Sequence, residues 1–349
     1  MSGVLEGILV VEVAQGWAGP ATTMYLADQG ADVIKVEPPG GDLARGWYPS
    51  PQLRGTSRSF LAVNRGKRSI VLDLATAEGR EIAQELASRA DVVVVNLDPE
   101  RAGRLGVDYD VLSELNPRLV YAAVSGYGGR GPYAGRPAYD QIIQGLCGAM
   151  DRHLGDGTPL RAGVWVADTS APMLLAYGIA LALLGRERTG RGQQVDTSLL
   201  EAAVALQVVD LVRVEADPVL PEVSLYASGL YRCRDGEYIN VAAFTERQVV
   251  ALCTALDLVG ALTDPSFLSD DRDLTLFQRR WRAEMVAAFA TKPAAEWQRI
   301  LMGNDVPCGP VLSRDEVFRE PQMVENEIIV EMDHPAAGPI KVMGIPVHL

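Results

Sequence analysis

The chain has 349 residues, of which 48% are apolar, and it carries a formal net charge of −13 at neutral pH. This length exceeds what one hydrophobic core usually fills, so we expect two domains. The acidic balance argues against a nucleic-acid-binding protein, which needs a basic surface. Four separated cysteines and three histidines predict neither a metal site nor a disulfide framework. The amino terminus has no signal-peptide layout, and no apolar run reaches the ~20 residues of a membrane span, so we expect a cytoplasmic protein without a membrane partner.

Strands and helices alternate over the first third of the chain. The predicted elements are strands at 8–13, 31–37, 68–74, 91–95 and 119–125 and helices at 21–28, 77–89 and 109–115. Parallel strands need helical crossovers of this kind. The alternation therefore predicts an α/β fold with a Rossmann-like, doubly wound parallel sheet, in which ligands bind at the carboxyl ends of the strands.

The pattern changes in the second half of the chain. We predict a long helix at 199–214, a connector at 215–226, two strands within 230–241 joined by an Asp-Gly turn, and helices near 246–256, 274–291 and 294–302. These elements are typical of a smaller α+β domain. The predicted organisation is a large domain at 1–200, a linker at 201–225, a small domain at 226–320 and a segment at 321–349 that returns to the large domain.

Asp168 stands immediately before an apolar stretch, residues 171–184, that is typical of a helix buried on every side. A helix N-terminus favours an anion because its N–H groups are unpaired. Asp168 is therefore either a simple cap of that helix or a carboxylate nucleophile in a dry pocket, and the local sequence leaves both open.

Three polar segments follow predicted strands or precede them. Residues 126–131 match GxGxxG, but prolines follow where a helix should begin, so a glycine-rich loop beside a ligand is favoured over a dinucleotide site. The basic turn at 64–69 is either a solvated turn or a phosphate-binding segment. Asn96, Arg101 and Arg104 form a polar cluster after the strand at 91–95, where they can help to hold an anion.

Taken together, these segments resemble the family III CoA-transferases, which include formyl-CoA transferase, carnitine CoA-transferase and α-methylacyl-CoA racemase. The resemblance covers nearly the whole chain. It is carried by Ala18-Gly19-Pro20 and by residues 30–37, 64–73, 104–106, 116–119, 125–128, 137–140 and 189–193.

The resemblance implies a chemistry and an assembly. Asp168 matches the aspartate nucleophile of the family, which attacks an acyl-CoA thioester and then carries coenzyme A as an aspartyl thioester until a carboxylic acid takes it. Coenzyme A is thus a substrate, and no further cofactor is implied. The family fold is an interlocked homodimer, so a homodimer is expected here.

The same resemblance supplies candidate residues for binding the coenzyme and the acyl group. They are Gly16, Trp17, Ala18, Lys67, Arg68, Asn96, Leu97, Arg104, Gly128 and Tyr139. Formyl-CoA transferase has a glutamine in place of Trp17, whose indole can donate a hydrogen bond but cannot accept one. With Trp47 and Tyr139, Trp17 favours an acyl group bulkier than formyl.

Two positions favour a transferase over a racemase. Racemases of this family have a histidine where this chain has Tyr139, and a tyrosine is a poor base at neutral pH. Their small-domain glutamate is matched by Thr245, with Glu246 one position away. A CoA-transferase is the leading hypothesis. The alternatives are an α-methylacyl-CoA racemase or epimerase and a catalytically silent homologue that binds CoA thioesters.

Overall fold

The computed structural model describes residues 3–53, 56–150, 158–209, 211–212, 228–268, 274–335 and 337–349. The chain divides into two compact units, Met1–Val212 with Glu325–Leu349, and Arg213–Val324. The last segment of the chain thus belongs to the first unit.

A six-stranded parallel sheet forms the centre of the first unit. Its strands are β1 (Leu9–Val13), β2 (Asp32–Glu37), β3 (Lys67–Val71), β4 (Val92–Val95), β5 (Val120–Ser125) and β6 (Gln193–Ser198). Their order in the sheet is β3-β2-β1-β4-β5-β6, and every neighbouring pair is parallel. This order reverses direction between β1 and β4, where doubly wound sheets bind their ligands. The predicted α/β fold with a parallel sheet is confirmed.

Helices cover both faces of this sheet. They are α1 (Ala18–Asp28), α2 (Arg58–Val63), α3 (Ala77–Arg89), α4 (Pro99–Arg104), α5 (Tyr109–Leu115), α6 (Asp140–Leu146), α7 (Val166–Thr189) and α8 (Leu199–Ala205). One core contains residues of α1, α6, α7 and α8, and the other contains residues of α3, α4 and α5. Alternate residues of β4 enter the two cores, since successive side chains of a strand point to opposite faces.

Helix α7 differs from the expected fully buried helix. One of its stripes, which includes Ala171, Leu175 and Ile179, is completely buried, but Tyr177 is 64% exposed and Leu184 is 55% exposed. The prediction of burial on every side is therefore wrong, because an unbroken apolar run does not reveal which face packs on the sheet. By length and composition α7 is also the one helix among the described residues that meets the criteria for a membrane span, a property shared by core helices of soluble proteins.

The turn after α7 leads into a strand that the sequence analysis did not assign. Gly190 ends the helix in the left-handed conformation, with φ of 71°. Gly192 then passes so close to β5 that an added Cβ would lie 1.9 Å from the Leu119 carbonyl oxygen. β6 follows, and α8 is shorter than the predicted helix at 199–214. Residues 210, 213 and 214 of that helix, and the predicted connector at 215–226, lie outside the described residues.

The second unit has its own small sheet and core. Its strands are β7 (Gly229–Arg232), β8 (Tyr238–Val241) and β9 (Cys308–Pro310), which pair antiparallel in that order. Its helices are α9 (Glu246–Ala255), α10 (Pro265–Leu268), α11 (Leu274–Phe289), α12 (Ala294–Met302), α13 (Arg314–Val317) and α14 (Pro321–Glu325). Helix α14 ends at Glu325, the first residue of the segment Glu325–Leu349 that returns to the first unit. Tyr231 stacks on Phe289 in the core, and Phe289 contacts Trp297. The sequence analysis did not assign β9.

The returning segment adds a hairpin to the first unit. Strands β10 (Ile329–His334) and β11 (Gly338–Met343) pair antiparallel. Beyond the hairpin, the Gln29 side chain donates to the carbonyl oxygen of Val347 at 2.9 Å. The sequence analysis assigned neither strand.

Candidate active site

Asp168 lies inside the first turn of α7, not in front of the helix. The helix begins at Val166, and the residue at its N-cap position is Trp165, whose side chain forms no capping hydrogen bond. The Asp168 side chain is half-buried. Among the described residues, none forms a hydrogen bond or an ion pair with its carboxylate. Asp168 is therefore not a simple cap, and its oxygens are free for chemistry.

A second carboxylate takes over the capping of α7. Asp140, the first residue of α6, is buried, and its Oδ1 accepts hydrogen bonds from the backbone N–H of Ala167 at 2.7 Å and of Asp168 at 3.3 Å. Gln144, one turn later in α6, donates to the other Asp140 oxygen. Gln144 also donates to the Val164 carbonyl at 3.2 Å. These contacts join α6 to the start of α7 and fix the backbone that carries Asp168.

The surroundings of Asp168 change its acidity. Burial, and secondly the negative charge of Asp140, raise the pKa of Asp168 from 3.8 to about 7. A helix N-terminus would normally lower the pKa of a carboxylate in the first turn. Here two of the N–H groups are bound to Asp140, whose charge opposes that of the helix end. Asp168 is therefore a strongly basic carboxylate, as a nucleophile or a proton acceptor at neutral pH requires.

Trp17 connects the first loop of the sheet to this helix end. It precedes α1, and its ring contacts the ring of Trp165 with a centroid distance of 5.5 Å and nearly perpendicular planes. The indole nitrogen of Trp17 is buried, and none of the residues that the structure describes accepts a hydrogen bond from it. A buried donor without a partner costs about 1–3 kcal/mol, so an acceptor on a bound ligand would stabilise this site.

Side chains at the carboxyl ends of the strands hold the loop that contains Trp17. Asp42 accepts a hydrogen bond from the N–H of Gly16 at 3.0 Å. Asn96, which follows β4, accepts from the N–H of Gln15 at 3.1 Å and donates to the Gln15 carbonyl at 2.6 Å. The loop between β1 and α1 is thus fixed at the switch point of the sheet. Gly16 and Trp17 of this loop, and Ala18 at the start of α1, are among the residues predicted to bind ligand.

A buried ionic cluster lies beneath this loop. Glu12 of β1 pairs with Lys35 of β2 at 2.5 Å and with Lys67 of β3 at 2.8 Å, and Lys35 pairs with Asp42 at 2.6 Å. Burial alone would raise the pKa of Glu12, but the ammonium groups of Lys67 and Lys35 lower it. Lys67 also donates to the carbonyl of Pro20 and to Asn64. Its ammonium group is thus occupied within the protein, and nothing in its surroundings points to a coenzyme phosphate there.

The remaining predicted ligand-binding residues are half-buried or exposed. Arg68 forms an exposed ion pair with Asp32, and Arg104 is exposed within 3.6 Å of Glu100. Leu97 packs at the edge of the core under α3, α4 and α5. Gly128 has φ of 90° and is half-buried in the glycine-rich segment, and Tyr139, 64% exposed, directly precedes Asp140. The structure leaves the predicted roles of these residues as predictions.

Two residues of this arrangement, Asp140 and Trp165, have no role in the sequence analysis. Asp140 appears there only as the last residue of the segment 137–140, although an acid that opens a short helix is a visible signal. Within the described ranges, no cluster of three or more His, Cys, Asp or Glu side chains is arranged to hold a metal ion.

Comparisons with known proteins place this chain in a family. A family model described as CoA-transferase family III matches residues 5–349. A succinyl-CoA:glutarate CoA-transferase of Mus musculus is 35% identical, over 97% of this chain and 79% of its own length. A succinyl-CoA:mesaconate CoA-transferase of Haloarcula marismortui is 34% identical, over 99% of this chain and 90% of its own length.

Solved structures agree with these sequence matches. A hypothetical protein of Mycobacterium tuberculosis is 30% identical with a TM-score of 0.88, and the match covers 100% of this chain and 93% of that one. A CAIB/BAIF family protein of Brucella suis is also 30% identical, with a TM-score of 0.83 and the same coverage. The resemblance seen in the sequence is confirmed: the chain is an enzyme that belongs to CoA-transferase family III.

Proposed function

We propose that this enzyme moves coenzyme A from an acyl-CoA to a carboxylic acid through a covalent intermediate on Asp168. The observation that carries the proposal is the state of that carboxylate. It is half-buried, unpaired among the described residues and strongly basic, and it lies in a helix turn whose backbone Asp140 holds in place. Such a group is an activated nucleophile.

The reaction then proceeds in two halves. An Asp168 oxygen attacks the thioester carbonyl, the C–S bond breaks, and the coenzyme leaves as a thiolate, which gives a mixed anhydride. The thiolate attacks the aspartyl carbonyl, so that the donor acid leaves as a carboxylate and an aspartyl thioester remains. The acceptor carboxylate repeats these steps in reverse and regenerates Asp168. Because an anhydride hydrolyses readily, the partial burial of Asp168 favours transfer over loss to water.

Trp17 contributes a donor to this scheme. Its buried indole N–H has no partner within the described part of the chain, and its ring touches Trp165 at the start of α7. An oxygen of the acyl group or of the acceptor acid can take that hydrogen bond. Trp17 can therefore bind a substrate oxygen as a hydrogen-bond donor, whereas a glutamine at this position could both donate and accept. Gly16 and Ala18, which flank it, provide backbone at the same edge of the sheet for the coenzyme.

For the substrates we propose short dicarboxylic acids. Both transferases named above are described by dicarboxylic groups, succinyl with glutarate and succinyl with mesaconate. The aromatic contact of Trp17 with Trp165 near Asp168 offers an apolar surface to the methylene groups of such an acid.

We also propose a homodimer of the interlocked kind. Helix α7 presents an exposed apolar stripe of the kind that marks a protein interface. The stripe consists of Leu174, Tyr177, Leu181 and Leu184, which are between 40% and 64% exposed. Residues spaced by three and four lie on one face of a helix, so a second copy of the chain can cover them together.

A trapping experiment tests the proposed intermediate. The enzyme is incubated with succinyl-CoA and then with hydroxylamine, and the peptide that contains residue 168 is analysed by mass spectrometry. We expect a hydroxamate on Asp168, and none in Asp168→Asn. The matched control is Asp110→Asn, the same change at an exposed acid in the first turn of α5, which should leave the adduct intact.

The same protein also tests the second candidate, a racemase. A carboxyl group with a pKa near 7 suits proton transfer at an α-carbon, which is the observation that favours it. Exchange of deuterium from solvent into the α-carbon of an acyl-CoA, without a hydroxamate on Asp168, would establish that function instead. The absence of both signals would indicate a silent homologue.

A further inference from the structure

Arg161 is a cation beside the candidate site that the proposed reaction has not used. Its guanidinium carbon lies over the ring of Trp165, 5.3 Å from the centroid. Its side chain is exposed, and among the described residues no carboxylate forms an ion pair with it. Many other arginines of the first unit, such as Arg45, Arg65 and Arg186, do form such pairs. Arg161 is therefore a positive group available to a ligand.

The backbone that carries Arg161 is fixed by the same residues that organise Asp168. The N–H of the next residue, Ala162, donates to Gln144 Oε1 at 3.1 Å, and Gln144 Nε2 is bound to the Val164 carbonyl and to Asp140. Stacking on Trp165 then restricts the long side chain. A guanidinium held in this way loses less freedom on binding an anion than a free surface arginine does.

We propose that Arg161 binds the distal carboxylate of a dicarboxylic substrate and so makes the enzyme prefer dicarboxylic over monocarboxylic acids. The inference rests on the proposed transferase function, and it identifies a residue that determines specificity at that site. Trp165 links the two ends of the substrate, because its ring contacts Arg161 and its position is one helical turn before Asp168. One carboxylate of the acid then faces the reacting centre while the other faces the guanidinium.

Electrostatics favours a cation at this position for such a substrate. The chain carries a net charge of −13, and Asp140 places part of that negative charge at the reacting centre itself. A dianionic acid is repelled there more strongly than a monoanionic one. An arginine offsets this repulsion and binds a carboxylate through two parallel N–H groups. A monocarboxylic acid has no second carboxylate at its far end to form these hydrogen bonds.

The test compares two acceptor acids of equal chain length, glutarate and pentanoate, with succinyl-CoA and butyryl-CoA as donors. We measure kcat/KM for each acid with the wild-type enzyme, Arg161→Gln, Arg161→Lys and the control Arg188→Gln. Arg188 is an exposed arginine at the far end of α7. We expect Arg161→Gln to lower the glutarate-to-pentanoate ratio about tenfold or more, with the pentanoate value preserved. Arg161→Lys should retain part of the preference, and Arg188→Gln all of it.

The possible outcomes distinguish a failure of this inference from a failure of the proposed transferase function. If the wild-type enzyme transfers coenzyme A to neither acid from either donor, the proposed function fails and the inference fails with it. If the wild-type enzyme transfers coenzyme A but the ratio is unchanged in Arg161→Gln, the inference alone is wrong. If Arg161→Gln instead raises KM for both acyl-CoA donors and leaves the ratio unchanged, the guanidinium binds a coenzyme phosphate, which also overturns the inference.

Discussion

The clearest consequence of the site geometry concerns Asp140→Asn. Asparagine keeps an oxygen that can accept hydrogen bonds from the N–H groups of Ala167 and Asp168, but it removes the negative charge. The pKa of Asp168 should therefore fall, because the charge of Asp140 is the second cause of its rise from 3.8 to about 7. The carboxylate is the reactive form, so the variant should remain active at a lower pH than the wild-type enzyme.

The size of this shift follows from the distances. Oδ1 of Asp140 lies 3.3 Å from the backbone nitrogen of Asp168, which places the two carboxylates roughly 6 Å apart. At an effective dielectric constant of 20, two charges at that separation repel by about 2–3 kcal/mol, or up to about two pKa units. Since burial is the larger cause of the rise, we expect a shift of about one unit. At pH 6 the ionised fraction would then rise about fivefold.

The assay is the pH dependence of kcat/KM for transfer. The wild-type rate should rise with a midpoint near pH 7, and that of Asp140→Asn near pH 6, with a lower plateau because a less basic carboxylate is a weaker nucleophile. The two profiles should cross. Asp110→Asn should leave the midpoint unchanged. The variant also loses the hydrogen bond from Gln144, so its thermal stability is measured in parallel. An unchanged midpoint in a folded Asp140→Asn would show that Asp140 only caps the helix.

Three further predictions concern stability, each measured by urea or thermal unfolding. Asp168→Asn should stabilise the protein by about 2–4 kcal/mol at pH 8 and by almost nothing at pH 3. The reason is that the raised pKa of Asp168 makes the folded wild-type protein lose stability as the pH rises from about 4 to about 7. Equal effects at both pH values would contradict this. Lys67→Met should destabilise by about 3 kcal/mol, since it leaves part of the Glu12 charge uncompensated, whereas Arg68→Met, at an exposed pair, should cost under about 1 kcal/mol. Gly192→Ala should destabilise by about 2 kcal/mol or more through its clash with Leu119, while Gly185→Ala, in open space on α7, should stabilise slightly.

The sheet was predictable from the sequence where its strands are apolar. β4 is buried throughout, and β1, β2 and β5 are mostly buried, as the strands of a parallel sheet covered on both faces generally are. β6 was not predictable in this way. Its sequence, Gln193–Ser198, is polar at the edge of the sheet, and only pairing with β5 makes it a strand. The hairpin of β10 and β11 alternates between half-buried and exposed residues, a pattern typical of strands, and could have been predicted from it.

In the candidate site, too, features of a local segment were predictable and tertiary contacts were not. Asp168 could be recognised from its segment, and Asn96 from its place after a strand. The sequence did show that Lys67 is a cation near a strand, but its environment depends on Glu12, 55 positions earlier, and is visible only once β1 and β3 flank β2. Likewise, the capping of α7 by Asp140 joins residues 27 and 28 positions apart. Such tertiary contacts have no signature in local composition.

The two acidic groups Glu12 and Asp168 show how one fold separates structural from reactive carboxylates. Both lie in the first unit, and burial raises the pKa of each. For Glu12, two lysines more than reverse that effect, so it is an ionised, inert support for the loop that holds Trp17. For Asp168 no cation offsets burial, and Asp140 adds to it while occupying the N–H groups of the helix end. Groups whose pKa values are driven in opposite directions reveal which of them does chemistry. The instability of an uncompensated carboxylate is therefore the same property that makes Asp168 the proposed nucleophile.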